Sequence, residues 1–169
     1  PPRSESGARP PAVPPGRRHG LAARRRLVTT AITDSASLQT AVGAWCSDST
    51  TAESTYGHIS TWDTSGVTDM SSLFYSYCST VSTFNDDVSS WDVSRVENMR
   101  QMFQGASAFN SDVSSWNVSR VETMYATFYG ASAFNSDVSS WDVSRVEDMA
   151  YMFRSASDFN SDVSSWDVS

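Results

Sequence analysis

From Trp91 onward the chain repeats itself every 25 residues, and that period restricts its architecture more than any other feature. Trp91, Trp116, Trp141 and Trp166 recur in register. So do Phe84, Phe109, Phe134 and Phe159, as well as Met99, Met124 and Met149 with Phe103, Phe128 and Phe153. The copies run 91–115, 116–140 and 141–165, with a partial copy at 166–169. A divergent copy, 62–90, keeps Met70 and Phe74 in phase and carries four extra residues within 75–83. A unit this short cannot bury a core of its own, so the copies must stack and share one.

Each unit contains two spacings. In Val113-Ser-Ser-Trp116-Asn-Val118 the pattern V-x-x-W-x-V ends in alternation, as a short strand does. In the next stretch Val96, Met99, Met102 and Phe103 fall on one face of a helix. Ser94-Arg-Val-Glu97, Ser119-Arg-Val-Glu122 and Ser144-Arg-Val-Glu147 have the form of helix-starting capping boxes. Gly105 and Gly130 sit where such a helix ends in a left-handed residue, and Ser155 replaces them in the last full copy. The expected fold class is therefore an α/β repeat solenoid, leucine-rich-repeat-like, with one short parallel strand and one short helix per repeat.

The segments before the repeats differ in composition. Residues 35–61 read as a helical N-terminal cap: Leu38, Ala41, Val42 and Trp45 share a helical face, with Asp34 or Ser35 to start it. Thr50-Thr-Ala-Glu53 reads as a second capping box and Gly57 as its stop. Residues 1–34 read as a disordered Pro/Arg-rich tail. Residues 1–26 hold seven of the 12 arginines and one acid, a balance of +6, whereas 27–169 hold five arginines and 18 acids, a balance of −13. There is no lysine. An acidic body argues against a nucleic-acid partner, because phosphate binding needs clustered cations. No run is apolar for long enough to be a transmembrane segment. Beginning at Pro1 and stopping in mid-repeat at Ser169, the chain reads as a fragment.

At Thr61-Trp-Asp-Thr-Ser-Gly-Val-Thr-Asp-Met-Ser-Ser-Leu-Phe74, and in the later W-D-V-S-x-V-x-x-M-x-x-M-F copies, the chain resembles the BspA-like surface-repeat family. The preceding Tyr56-Gly-His-Ile59 is similar to that family's lead-in. The resemblance implies an extracellular or cell-surface location, with adhesion or ligand binding, and no catalytic residue to carry over.

Candidate site residues follow from the expected strand. Its outward positions, Ser90 and Asp92, then Ser115 and Asn117, then Ser140 and Asp142, would lie side by side as a polar face open to a protein or glycan partner. The tryptophan, phenylalanine and methionine columns read as core. Asn85, Asn110, Asn135 and Asn160 read as a stacked amide ladder. Asp87, Asp112, Asp137 and Asp162 form an oxygen-rich column of the general kind that holds Ca²⁺, but the glycine-rich Ca²⁺-binding repeat is missing and neither metal nor cofactor is assigned. Asn117-Val-Ser119 is an N-glycosylation sequon. Cys46 and Cys78 either pair with each other or remain buried thiols.

Only His19 and His58 could serve as imidazole bases, and neither belongs to a Ser/His/Asp or Cys/His set, so no enzyme activity is expected. The expectation is a binding module acting through the polar strand face. Its rival is a spacer that displays a domain outside this chain.

Overall fold

A computed structural model of the protein describes residues 30–169. The bulk of the tail assigned to 1–34 lies outside the described residues. Two helices open the described part: α1 (Ser35–Ser47) and α2 (Ser49–Tyr56). Asp34 caps α1, its carboxylate accepting the Ser37 N–H at 2.8 Å while Ser37 Oγ accepts the Asp34 N–H at 3.0 Å. Asp48 caps α2 by accepting the Thr51 N–H at 3.2 Å, so this helix begins ahead of the Thr50 box, and Gly57 ends it with φ 81°. A third, short helix, α3 (Leu73–Tyr77), lies in the divergent copy, and α1 packs on both α2 and α3. Residues 30–34 dock on this cap, with the Thr30 N–H donating to Thr55 O at 2.7 Å.

The expectation of an α/β solenoid is overturned. Among the described residues there is no strand and no sheet, and between 78 and 169 no α-helix forms, only a 3₁₀ turn at Val81–Thr83. What remains of strand pairing is one column of single-residue parallel bridges, Asp69 to Asn98, Asn98 to Thr123 and Thr123 to Asp148. The repeats do stack, but each is a coil of consecutive β-turns.

The physical reason lies in where the backbone N–H groups go. Val88 O accepts the Trp91 N–H at 3.1 Å, Val93 O the Val96 N–H at 2.9 Å, Met99 O the Met102 N–H at 3.1 Å, and Phe103 O the Ala106 N–H at 3.0 Å. Each of these closes a four-residue turn. Consecutive turns place every third residue inward, which is the spacing that mimics a helix. A helix is blocked at Gln101, Ala126 and Tyr151, which have φ of 56°, 53° and 61°, in the left-handed region. The N–H groups around them pair with the next coil instead. Met99 donates to Thr123 O at 3.0 Å, Gln101 to Tyr125 O at 2.9 Å, Phe103 to Thr127 O at 2.9 Å, and Gly105 to Tyr129 O at 2.8 Å. Alternate residues thus form a parallel ladder without β dihedrals.

The serine capping boxes do not form either, since side chains two residues upstream reach those amides first. Asp92 Oδ1 accepts the Ser94 N–H at 2.9 Å, Asn117 Oδ1 the Ser119 N–H at 3.2 Å, and Asp142 Oδ1 the Ser144 N–H at 3.2 Å. Asp and Ser favour such local bonds over helix interiors.

Inside the stack, phenylalanines form continuous columns. Phe103 and Phe128 lie 5.6 Å apart between centroids, and Phe128 and Phe153 5.7 Å apart, nearly parallel in both cases. Trp91, Trp116 and Trp141 are buried, and each indole N–H donates to a carbonyl one coil back: Ile59 O at 3.0 Å, Val88 O at 3.3 Å and Val113 O at 3.1 Å. No buried side-chain N or O among the described residues lacks a hydrogen-bond partner.

The divergent copy departs where the cap meets it. Gly66 stands at the position of Arg95, Arg120 and Arg145, and a Cβ there would lie 2.6 Å from Thr33 O. That obstacle is backbone and cannot swing aside. Gly66→Ala is expected to lower stability by about 1–3 kcal/mol, read as a lower urea midpoint. Gly105→Ala, with nothing within 4 Å of its Cβ, pays only for φ 77°, about 1–2 kcal/mol. Equal midpoints for wild type and Gly66→Ala would show that residues 30–34 do not close over this glycine.

Candidate functional site

The six residues expected on a strand face share one side of the stack, on turns. Ser90, Asp92, Ser115, Asn117, Ser140 and Asp142 are all exposed. Each is also engaged in building the coil. The Ser90 hydroxyl donates to Ser60 O, Ser115 Oγ to Ser89 O at 3.5 Å, and Ser140 Oγ to Ser114 O at 3.4 Å. Asp92, Asn117 and Asp142 close the turns described above. Asn117, the sequon asparagine, also accepts the Ser119 hydroxyl at 2.7 Å.

The acidic column does the same work on the neighbouring edge. Asp87, Asp112, Asp137 and Asp162 each accept the N–H of the serine two residues on, at 2.9 Å. Among the described residues no group of three or more His, Cys, Asp or Glu side chains could hold a metal ion. The asparagines form a ladder of a different kind from the one expected. Asn85 Oδ1 accepts the backbone N–H of Asn110 at 2.7 Å, Asn110 Oδ1 that of Asn135 at 2.8 Å, and Asn135 Oδ1 that of Asn160 at 2.8 Å.

These bonds hold the carboxylates ionised. The Ser144 hydroxyl first, then the Ser144 N–H, keep Asp142 below the usual carboxylate range, and Ser65 acts alike on Asp63. At Asp137 and Asp162 the backbone N–H of the serine two residues on, Ser139 and Ser164, contributes most. A depressed folded pKa means that the stabilisation is fully present above the unfolded value, about 3.9. It is lost as pH falls through the lower folded values. The melting temperature is therefore expected to hold from pH 7 to about 5 and to fall below pH 4. Asp142→Asn retains the turn acceptor, as Asn117 already does, and should flatten the acid limb. An acid limb unchanged by this substitution would show that these turns do not set it.

Other chemistry-bearing residues are also absorbed by the framework. His58 Nδ1 accepts the Ser60 N–H at 3.3 Å and lies 2.8 Å from Ser60 Oγ, capping a 3₁₀ turn at Ile59–Thr61. Cys46 and Cys78 form a disulfide joining α1 to the end of α3. Beside it a cleft of about 400 Å³ is lined by Trp45, Asp48, Thr83 and Asp86, with Trp45 Nε1 donating to Asp86 Oδ2 at 2.7 Å.

The side chains of one surface strip make no hydrogen bond that holds the turns. Arg100 Cζ sits 4.1 Å over the Tyr125 ring, the Tyr125 and Tyr151 rings meet edge to face at 5.7 Å, and Arg154 Cζ lies 5.3 Å from Tyr151 and 5.9 Å from Tyr129. These five side chains form a continuous run across three coils. The full copies are identical at 17 of 25 positions, and six of the eight that vary lie within 98–105 and its equivalents. Positions 100, 125 and 150 read Arg, Tyr and Ala; 101, 126 and 151 read Gln, Ala and Tyr; 104, 129 and 154 read Gln, Tyr and Arg. The expected polar face is nearly invariant by contrast. Aligning the copies for their differences rather than their matches is the signal that points to this arc.

A family model described as "Mycoplasma protein of unknown function, DUF285" matches residues 44–166. The chain belongs to this family. The resemblance to BspA-like leucine-rich repeats is thereby overturned, and the adhesion, secretion and cell-surface character drawn from it lose their support. The DUF285 match begins inside α1 and takes in all the full copies, so the Tyr/Arg arc lies within the DUF285 unit. No curated protein and no solved structure matches the chain.

Proposed function

We propose that this chain is a non-catalytic binding module whose stacked turns hold a protein- or glycan-recognising surface at positions 100, 101 and 104 of each copy. One observation carries the reading: near-identical copies differ mainly along one arc, and all its members except the buried Ala126 and the small Ala150 are exposed or half-exposed tyrosine, arginine or glutamine. A coil position that only has to stack can stay the same in every copy. A recognition surface needs different side chains at successive places, and tyrosine and arginine are the types that dominate binding energy in protein interfaces. The Asp/Ser face, which is nearly invariant and bonded to its own backbone, has the character of a framework.

The Cys46–Cys78 bond favours an oxidising compartment outside the cytoplasm. Among the described residues no helix is long and apolar enough to cross a membrane.

The test is an array of extracellular proteins and glycans probed with the chain and with Tyr125→Ser/Tyr151→Ser. A specific hit lost in the double variant, with its circular dichroism unchanged, is the expected result. A hit that survives in it moves the site off the arc. A blank from folded protein favours a spacer that displays another domain.

A further inference from the structure

Resting on the reading of the arc as a binding surface, we propose that its partner is an extended acidic protein segment, with carboxylates that engage Arg100 and Arg154. Both arginines are exposed, and among the described residues neither has a carboxylate within 4.0 Å, the one ion pair being Arg145 with Glu122 at 3.6 Å. This is unusual company for cations in a body of net charge −13, where 18 acids surround five arginines. Each guanidinium lies within cation–π range of a tyrosine ring, and both arginines remain exposed to the solvent. A carboxylate takes the planar edge of a guanidinium through two parallel hydrogen bonds.

The geometry sets a spacing. Successive coils are joined by backbone hydrogen bonds and their phenylalanine centroids lie 5.6 and 5.7 Å apart, so Arg100 and Arg154, two coils apart, are separated by about 10–11 Å along the stack. An extended chain advances about 3.3–3.6 Å per residue, which matches carboxylates three to five residues apart. Tyr125 and Tyr151 lie between the two arginines and offer an apolar seat for the intervening side chains.

Other anionic partners fit less well. A polyanion such as a nucleic acid or a densely sulfated glycan brings many charges to a strongly acidic body and meets two cations only. A neutral sugar stacks on a free aromatic face, and Arg100 covers one face of Tyr125 while Tyr151 closes on it edge-on.

The experiment is selection of a random 12-residue peptide library, displayed on phage, against the purified chain. Enriched peptides are then measured by fluorescence anisotropy on wild type and on Arg100→Gln/Arg154→Gln. The expected result is enrichment of two acidic residues three to five apart, with affinity falling about tenfold or more in the double variant and weakening with salt. Matching melting temperatures for the two proteins show that the variant is folded. Enriched peptides without acids, or peptides that bind the double variant as well as wild type, overturn the proposal. A blank display beside an array hit that Tyr125→Ser/Tyr151→Ser abolishes overturns the acidic partner alone and leaves the arc as the binding surface. An array hit that the tyrosine variant retains removes both.

Discussion

Trp116→Ala is expected to lower the unfolding free energy by about 3–5 kcal/mol, enough to reduce the melting temperature by on the order of 10 °C. Trp116 is 4% exposed, stacks near Phe103 at 6.3 Å, and donates its indole N–H to Val88 O in the coil behind. Truncation removes that packing from the middle of the stack and deprives the carbonyl of a donor. Two companions separate these effects. Trp116→Phe keeps a ring and loses the cross-coil bond, a cost of about 1 kcal/mol. Trp166→Ala should cost less than Trp116→Ala, because Trp166 is only half-buried although its N–H makes the equivalent bond to Val138 O at 3.1 Å. Urea denaturation of the three variants checks the order. Equal midpoints for wild type and Trp116→Ala, accompanied by loss of ligand binding, would reassign the tryptophan column from core to ligand platform.

The same residues show how far a sequence of this kind can be read. The Trp, Phe and Met columns are legible as core because a strict period and large apolar side chains have one stable use, a shared interior. The local structure was not legible from spacing. Val96, Met99 and Met102 are three apart, and both a helix and a run of β-turns bury every third residue. What decides between them is the left-handed residue at Gln101, Ala126 or Tyr151. No residue type at those positions announces it, since the cost of a positive φ is offset by bonds to the next coil, which exist only after stacking. A different clue was present and was read otherwise. Asp or Asn followed two residues later by Ser recurs twice per copy, at Asp112–Ser114 and Asn117–Ser119 for example, and that spacing closes a turn before the Ser-x-x-Glu box can start a helix. At the candidate site, regularity drew attention to Ser90, Asp92 and their equivalents, yet regularity marks what the framework needs. The arc stands out only where the copies disagree.

Removing the Cys46–Cys78 bond is expected to have the other large effect. The bond closes a chain separation of 32 residues, for which the loss of unfolded-state constraint is about 3–4 kcal/mol. It ties α1 to the end of α3, the only α-helix of the repeats, at the place where the first copy carries its four extra residues. The Trp45–Asp86 bond lies beside it, so the link fastens the cap to the first coil at two points. Each coil otherwise bonds mainly to its neighbours, and stability in such a stack is close to a sum of nearest-neighbour terms. The loss should therefore be local. In Cys46→Ser/Cys78→Ser, amide hydrogen exchange is expected to accelerate over residues 35–90. The N–H groups of Met124, Ala126 and Phe128, which donate to Asp148, Ala150 and Met152, should stay protected, since they lie away from the cap. Uniform acceleration along the chain would mean that the stack unfolds as one unit and that the cap nucleates it. Unchanged exchange near the cap would mean that the packing of Leu38, Val42 and Trp45 holds it without the covalent link.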